Sequence, residues 1–235
     1  MSKATKKSNT SIVDRLRVLG PVFSLQDMVS HFDITAEQAS VYMNRWAQTS
    51  NIKKFGPGVA FNLLFHPDAE DKHMGLALTK VLRRPFLMIG GSSIYHSGWT
   101  TQVHRQMEIA VPIMRGKTSL PKLGSGVKLV ARSLRDFNKL NAHLNPDASG
   151  GDLIPVVMPA YALADAYIAA KAGKDDGLLT PADEIDKDYL DDSEVENFRS
   201  ALEDLGASEE MIEEAIAEYE DCLDPDSEDS SPGFF

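Results

Sequence analysis

Two capped helical segments in close succession, followed by two apolar runs about a Gly-Pro-Gly turn, leave residues 24–62 few folds to choose from. Ser24 stands ahead of LQDMVSHF, where Leu25, Met28, Val29 and Phe32 recur at helical spacing, so its hydroxyl can cap the first free N–H groups. After Asp33-Ile34, Thr35 with Gln38 three residues on makes a capping box that opens a helix through AEQASVYMNRWAQTS. IKKF and VAFNLLF then read as strands joined at Gly56-Pro57-Gly58. Upstream, Ile12, Leu16 and Leu19 form a stripe that Gly20-Pro21 ends. Three short helices and a hairpin predict a winged helix-turn-helix over residues 11–67.

The third helix decides what such a unit touches. Ala39, Tyr42, Met43 and Trp46 share one face, and Ser40, Val41, Asn44, Arg45 and Gln48 the other, with Gln38 in the first turn. Amide, hydroxyl and guanidinium groups on one helix face suit base edges in a major groove about 12 Å wide. Lys53 and Lys54 at the hairpin, and Lys6 and Lys7 in a basic arm over residues 1–10, are the matching phosphate contacts. Tyr42 and Trp46 are expected in the core. The predicted partner is double-stranded DNA; a winged helix used only for packing or protein contact is the alternative.

Charge is divided along the chain in the same sense. Residues 1–150 carry 20 Lys and Arg against 10 Asp and Glu, and residues 151–235 carry 4 against 25. The net charge of −11 therefore describes neither part. A basic front invites a phosphate backbone, and an acidic rear repels one or covers a basic surface. Within the front, residues 1–67 hold 8 basic residues against 4 acidic ones, and residues 68–150 hold 12 against 6. Lys80, Arg83, Arg84, Lys117, Lys122, Lys128, Arg132, Arg135 and Lys139 are either scattered surface charges or flanking phosphate contacts.

HPDAEDK, residues 66–72, reads as a linker, with a second domain over residues 73–175. There HMGLALTKVLRR has helical spacing, PFLMIGG is a buried-strand run, and Gly90-Gly91-Ser92-Ser93 reads as a turn. MEIAVPIM, GVKLVAR and LIPVVM are further strands, and AYALADAYIAAKAG a helix. Strands mixed with helices make this an α/β or α+β domain. An acidic helical extension follows over residues 176–223. Thr180-Pro181 with Asp183 and Glu184 signals a helix start, and Val195, Phe198, Leu202 and Leu205 form a stripe that Gly206 ends. Ser208 opens a last helix on Met211, Ile212, Ala215, Ile216, Tyr219 and Leu223. The acidic faces are either the solvated sides of docked helices or a surface for a charged partner. Residues 224–235 have the composition of a disordered tail. The fold class expected is α/β (α+β).

No stretch has the composition of a signal peptide or a membrane span, which predicts a cytoplasmic protein with no membrane partner. Cys222 is the sole cysteine, so an internal disulfide and a cysteine metal site are excluded, and its helical setting makes it a small core residue. The strongest catalytic candidate is IGGSS, because nucleotidyltransferases seat a triphosphate on a Gly-Gly-Ser turn ahead of a strand with paired carboxylates. Here Gln106-Met107-Glu108-Ile109-Ala110 supplies Glu108 alone, and two metal ions need more. The six histidines lack metal spacing, and no GxSxG, Walker lysine or GxGxxG is present. A non-enzyme without cofactor or metal is expected.

At SSIYHSGWTTQVHRQMEIAVP the chain resembles the AbiEi family, antitoxins of bacterial abortive-infection toxin-antitoxin systems. Gly98-Trp99-Thr100-Thr101-Gln102-Val103 stands where that family has a Gly-hydrophobic-Thr-x-Gln stretch, and Glu108 to Pro112 where it has a strand. Met158-Pro159-Ala160-Tyr161-Ala162-Leu163-Ala164-Asp165-Ala166 looks like its proline-led helix ending in Leu-x-Asp, although Ala160-Tyr161 replaces a charged residue. The likeness spans roughly residues 10–170. It implies a repressor that binds promoter repeats of its own operon and counters a nucleotidyltransferase-like toxin, with or without contacting it. The acidic end lies outside the likeness. A non-catalytic interaction protein whose acidic helices bind a basic partner or mimic DNA, and a plain winged-helix repressor, are the competing readings.

Overall fold

Ser11, whose hydroxyl accepts from Asp14 N at 3.1 Å, opens α1 (Ile12–Arg17) in a computed structural model that describes residues 11–113, 119–124, 126–149, 154–174, 176–190 and 193–224. Lys6, Lys7, Lys117 and the expected disordered tail from residue 225 lie outside the described residues. Next come β1 (Val22–Ser24), α2 (Leu25–Phe32) and α3 (Ala36–Gln48), then β2 (Ile52–Gly56) and β3 (Val59–Asn62). Ser24 and Asp27 cap α2 reciprocally, as Thr35 and Gln38 cap α3, and Asp33 ends α2 at a left-handed φ of 49°. β1 was not expected from sequence: three residues are too few to show alternation, and pairing with β3 alone makes them a strand. The sheet runs β1-β3-β2, antiparallel throughout. Leu16, Phe23, Met28, Met43, Trp46 and Ile52 form the core beneath it, and Asn62 Nδ2 ties α1 down through Leu16 O (2.9 Å) and Leu19 O (3.1 Å).

The chain divides into two units, residues 1–83 with 121–125 and residues 84–120 with 126–235. This corrects the boundary expected at residues 66–72. That stretch contains a helical turn, α4 (Ala69–Lys72), and the helix α5 (Met74–Leu82) packs on β1 and β3 of the first unit. Polar composition marks exposure, not a domain border.

The second unit is of α/β character. It comprises β4 (Leu87–Met88), α6 (Gly90–His96), β5 (Met107–Ile113), β6 (Val127–Ser133), α7 (Leu134–Ala142), β7 (Leu144–Ser149), β8 (Pro155–Val157) and α8 (Pro159–Lys171). α9 (Glu194–Leu205) and α10 (Glu209–Leu223) complete it. The five-stranded sheet has the order β6-β5-β4-β8-β7 and is mixed: β5 with β6 and β4 with β8 are parallel, the other two pairs antiparallel. Gly90-Gly91-Ser92-Ser93, expected as a turn, is the first turn of α6, with Gly90 at φ 58°. Pro181-Asp183-Glu184 starts only a single 3-10 turn, Ala182–Glu184, since Leu178, Thr180 and Ile185 are buried and hold the chain against the core. The long acidic helix begins at Glu194 instead.

The acidic helices are not a separate extension. Phe198, Leu202, Ile212 and Tyr219 share one core with Leu163 and Tyr167 of α8, and Tyr219 donates to Thr180 O at 2.7 Å. Gly206, at φ 92°, ends α9, and Ser208 caps α10. Among the described residues no helix is long and apolar enough to cross a membrane.

Candidate nucleic-acid interface

α3 is amphipathic by residue order, and its buried stripe of Ala39, Met43 and Trp46 orients what remains outside. Tyr42 stacks on Trp46 (centroids 6.0 Å apart, 11° between planes), Phe32 meets Trp46 edge-on, and the Arg15 guanidinium lies 4.6 Å from the Tyr42 centroid. The aromatic rings are thus engaged in packing. Val41, Asn44, Arg45 and Gln48 are exposed, Val41 to 54%, and Ser40 is half-buried. Gln38 is exposed too, but its Oε1 accepts from Thr35 N at 3.2 Å, so its carbonyl serves the cap.

The two hairpin lysines part company. Lys54 is exposed, and its Nζ donates to Asn44 Oδ1, which joins β2 to the outer face of α3. Lys53 points the other way, as neighbours on a strand must, and its ammonium pairs with Glu70 of α4, 2.6 Å from Oε2. Its side chain stays partly exposed, at 42%, beside that carboxylate. The hairpin tip is also tied in: Leu25 N donates to Gly58 O at 2.8 Å, and Gly58 (φ 67°) faces the Leu25 side chain. What the first unit presents is therefore a compact polar surface of Asn44, Arg45, Gln48 and Lys54 around an exposed Val41.

The second unit contains two polar clusters that sequence reasoning did not assemble. Ser92 Oγ accepts from Glu108 N at 3.0 Å and donates to Gln106 O at 3.3 Å, which fastens α6 to β5. Glu108 is 3% exposed beside Gly90, and the His104 ring lies where a Cβ on Gly91 would stand. Both glycines are thus required by packing against a carboxylate and an imidazole. Burial holds the nearby His96 imidazole below its ordinary pKa. Among the described residues no three His, Cys, Asp or Glu side chains come together as a metal-ligand set.

Arg132, grouped in sequence with scattered basic residues, is instead 8% exposed and paired with Asp165, also 8% exposed. The guanidinium donates to both carboxylate oxygens through Nε (3.0 and 3.1 Å) and to Oδ2 through Nη2 (2.8 Å). The pair borders a cavity of about 320 Å³ with Ser133, Asp136, Ile168 and Lys174. Lys80 is likewise engaged, 2.8 Å from Asp27. Arg83, Arg84, Lys122 and Arg135 remain exposed.

No family model matches the chain, and no curated protein matches it. Among solved structures, the crystal structure of the RV2827C protein from Mycobacterium tuberculosis is similar at a TM-score of 0.43 and 14% identity, over 86% of this chain and 78% of that one.

Proposed function

We propose that the protein is a sequence-specific DNA-binding repressor of its own promoter and, through its resemblance to the AbiEi family, the antitoxin that counters a nucleotidyltransferase-like toxin. The observation that carries the DNA reading is the outer face of α3, where Asn44, Arg45 and Gln48 lie side by side and Lys54 reaches across from β2 to Asn44. The order α1-β1-α2-α3-β2-β3 in the first unit supports a winged-helix reading, which would place α3 in the major groove. Arg45 is the base reader, since its fork can take guanine O6 and N7 together, and Lys54 the adjoining cation. The chain acts without catalysis in this reading.

Fluorescence anisotropy with a duplex from upstream of the reading frame tests it. Affinity should fall steeply as salt rises from about 50 to about 200 mM, while Arg45→Ala should cost about 1–3 kcal/mol on that duplex and much less on random sequence. Equal losses on both duplexes would take Arg45 out of base readout. The antitoxin role requires a nucleotidyltransferase encoded beside the reading frame, and protection from the growth arrest it causes when the chain is co-expressed; a neighbour of another kind, or no protection, overturns that role. One observation favours the competing interaction-protein reading: α10 itself carries no Lys or Arg and exposes Glu209, Glu210, Glu213, Glu218 and Glu220, while Glu214 pairs with Lys171 of α8 at 2.8 Å. That reading requires no salt-dependent binding to any duplex.

A further inference from the structure

We propose that Leu123 and Gly124 are positioning residues for the DNA-contact face, an inference that rests on the DNA-binding reading above. β5 and β6 pair in parallel from Met107↔Val127 to Ile113↔Ser133 in the sheet of the second unit. Between them, however, residues 121–125 belong to the first unit. There the stretch lies along β2. Gly124 N donates to Phe55 O at 2.5 Å, and a Cβ on Gly124 would stand 3.3 Å from Lys54 O. Leu123 and Val81 close over Gly56, where a Cβ would come 2.9 Å from Leu123 Cδ2 and 3.0 Å from Val81 Cγ2.

The place where this strap lands is the one the sheet holds least. β2 is an edge strand of β1-β3-β2, and its register with β3 shifts between Lys54 and Gly56, so the ladder is broken there. With one side of β2 paired irregularly and the other unpaired by the sheet, the Phe55 carbonyl and the Gly56 surface take their partners from the strap. Lys54 leaves the backbone at this point and donates to Asn44 on α3. Strap, bulge, Lys54 and Asn44 thus form one chain of contacts within the first unit.

The test uses the full-length chain and the duplex from upstream of its reading frame. Leu123→Ala should weaken binding by about fivefold or more, Leu123→Met should restore it, and the loss should vanish in a Lys54→Ala background, since coupled residues are not additive. The same fold-loss in both backgrounds overturns the proposal. The Asn44 side-chain amide resonances read the same geometry without DNA: they should move in Leu123→Ala and stay in place in the control Lys122→Ala. If they do not move, the strap does not position this face. If they move while the wild-type chain binds no duplex, the DNA reading fails and the positioning role stands. Should Leu123→Ala not fold, Gly124→Ala, whose Cβ presses on Lys54 O, carries the same comparison.

Discussion

Asp27 shows how one side chain can serve two elements. It accepts from Ser24 N at 2.7 Å, closing the α2 cap, and from Lys80 Nζ of α5 at 2.8 Å. Burial pushes its carboxyl upward, but the bonds from Lys80 and Ser24 outweigh this and hold its pKa below the usual 3.8. A depressed folded pKa contributes stability at higher pH and loses it as pH falls through and below the unfolded value. Acid unfolding of the first unit, followed by Trp46 fluorescence, should therefore steepen below pH 3.8, and Asp27→Asn should flatten that limb. An unaltered limb would mean that the Lys80 contact does not stabilise the folded state. Cys222 behaves as the sequence suggested: half-buried on α10, its thiol is pushed up to about 11, mainly by burial.

At the scale of elements, the acidic helices have two faces with separate tasks. The apolar stripes of α9 and α10 are committed to the core of the second unit, so removing the helices would strip that core. Their carboxylates can be tested without touching the stripes. Neutralising Glu213 and Glu220 to Gln should raise affinity for random-sequence DNA and leave thermal stability nearly unchanged, because both are exposed and lie beyond the first turn of α10. Unchanged affinity, measured at low salt, would reduce the acidic face to solvated surface. β2 and β3 show the complementary case, in which the strands lie on either side of the expected Gly-Pro-Gly turn while their tip is bound down by Leu25 N.

Across the whole molecule, each unit carries a core of its own and one tryptophan, Trp46 in the first and Trp99 in the second. Single-tryptophan variants therefore report the two cores separately. Asp165→Ala leaves the Arg132 guanidinium buried without its carboxylate, which should destabilise the second unit by about 3–5 kcal/mol. In denaturant titrations the transition seen by Trp99 should shift to lower concentration, and the one seen by Trp46 should stay. A common shift of both would show that the units unfold as one cooperative body. The charge division also looks different at this scale. Lys53, Lys80 and Arg132 are paired with Glu70, Asp27 and Asp165, so part of the basic excess is internal wiring and less of it faces solvent.

The sequence by itself determined the helix starts at Ser24, Thr35 and Ser208, the stop at Gly206, the β2–β3 hairpin and the stripes of α3, α9 and α10. These are encoded within a few residues of one another, as caps, turns and periodicity. The outer face of α3 was legible for the same reason, since 3.6-residue spacing separates Arg45 and Gln48 from Trp46. Only the tertiary structure decided what depends on partners distant in sequence. It made β1 a strand, moved α5 into the first unit, turned Gly90-Gly91 into a helix start packed on Glu108 and His104, and paired Arg132 with Asp165 thirty-three positions away. It also brought Gly124 back to Phe55. Local patterns specify which backbone groups are satisfied nearby; which side chain meets which across the fold is settled by packing, and no local pattern carries it.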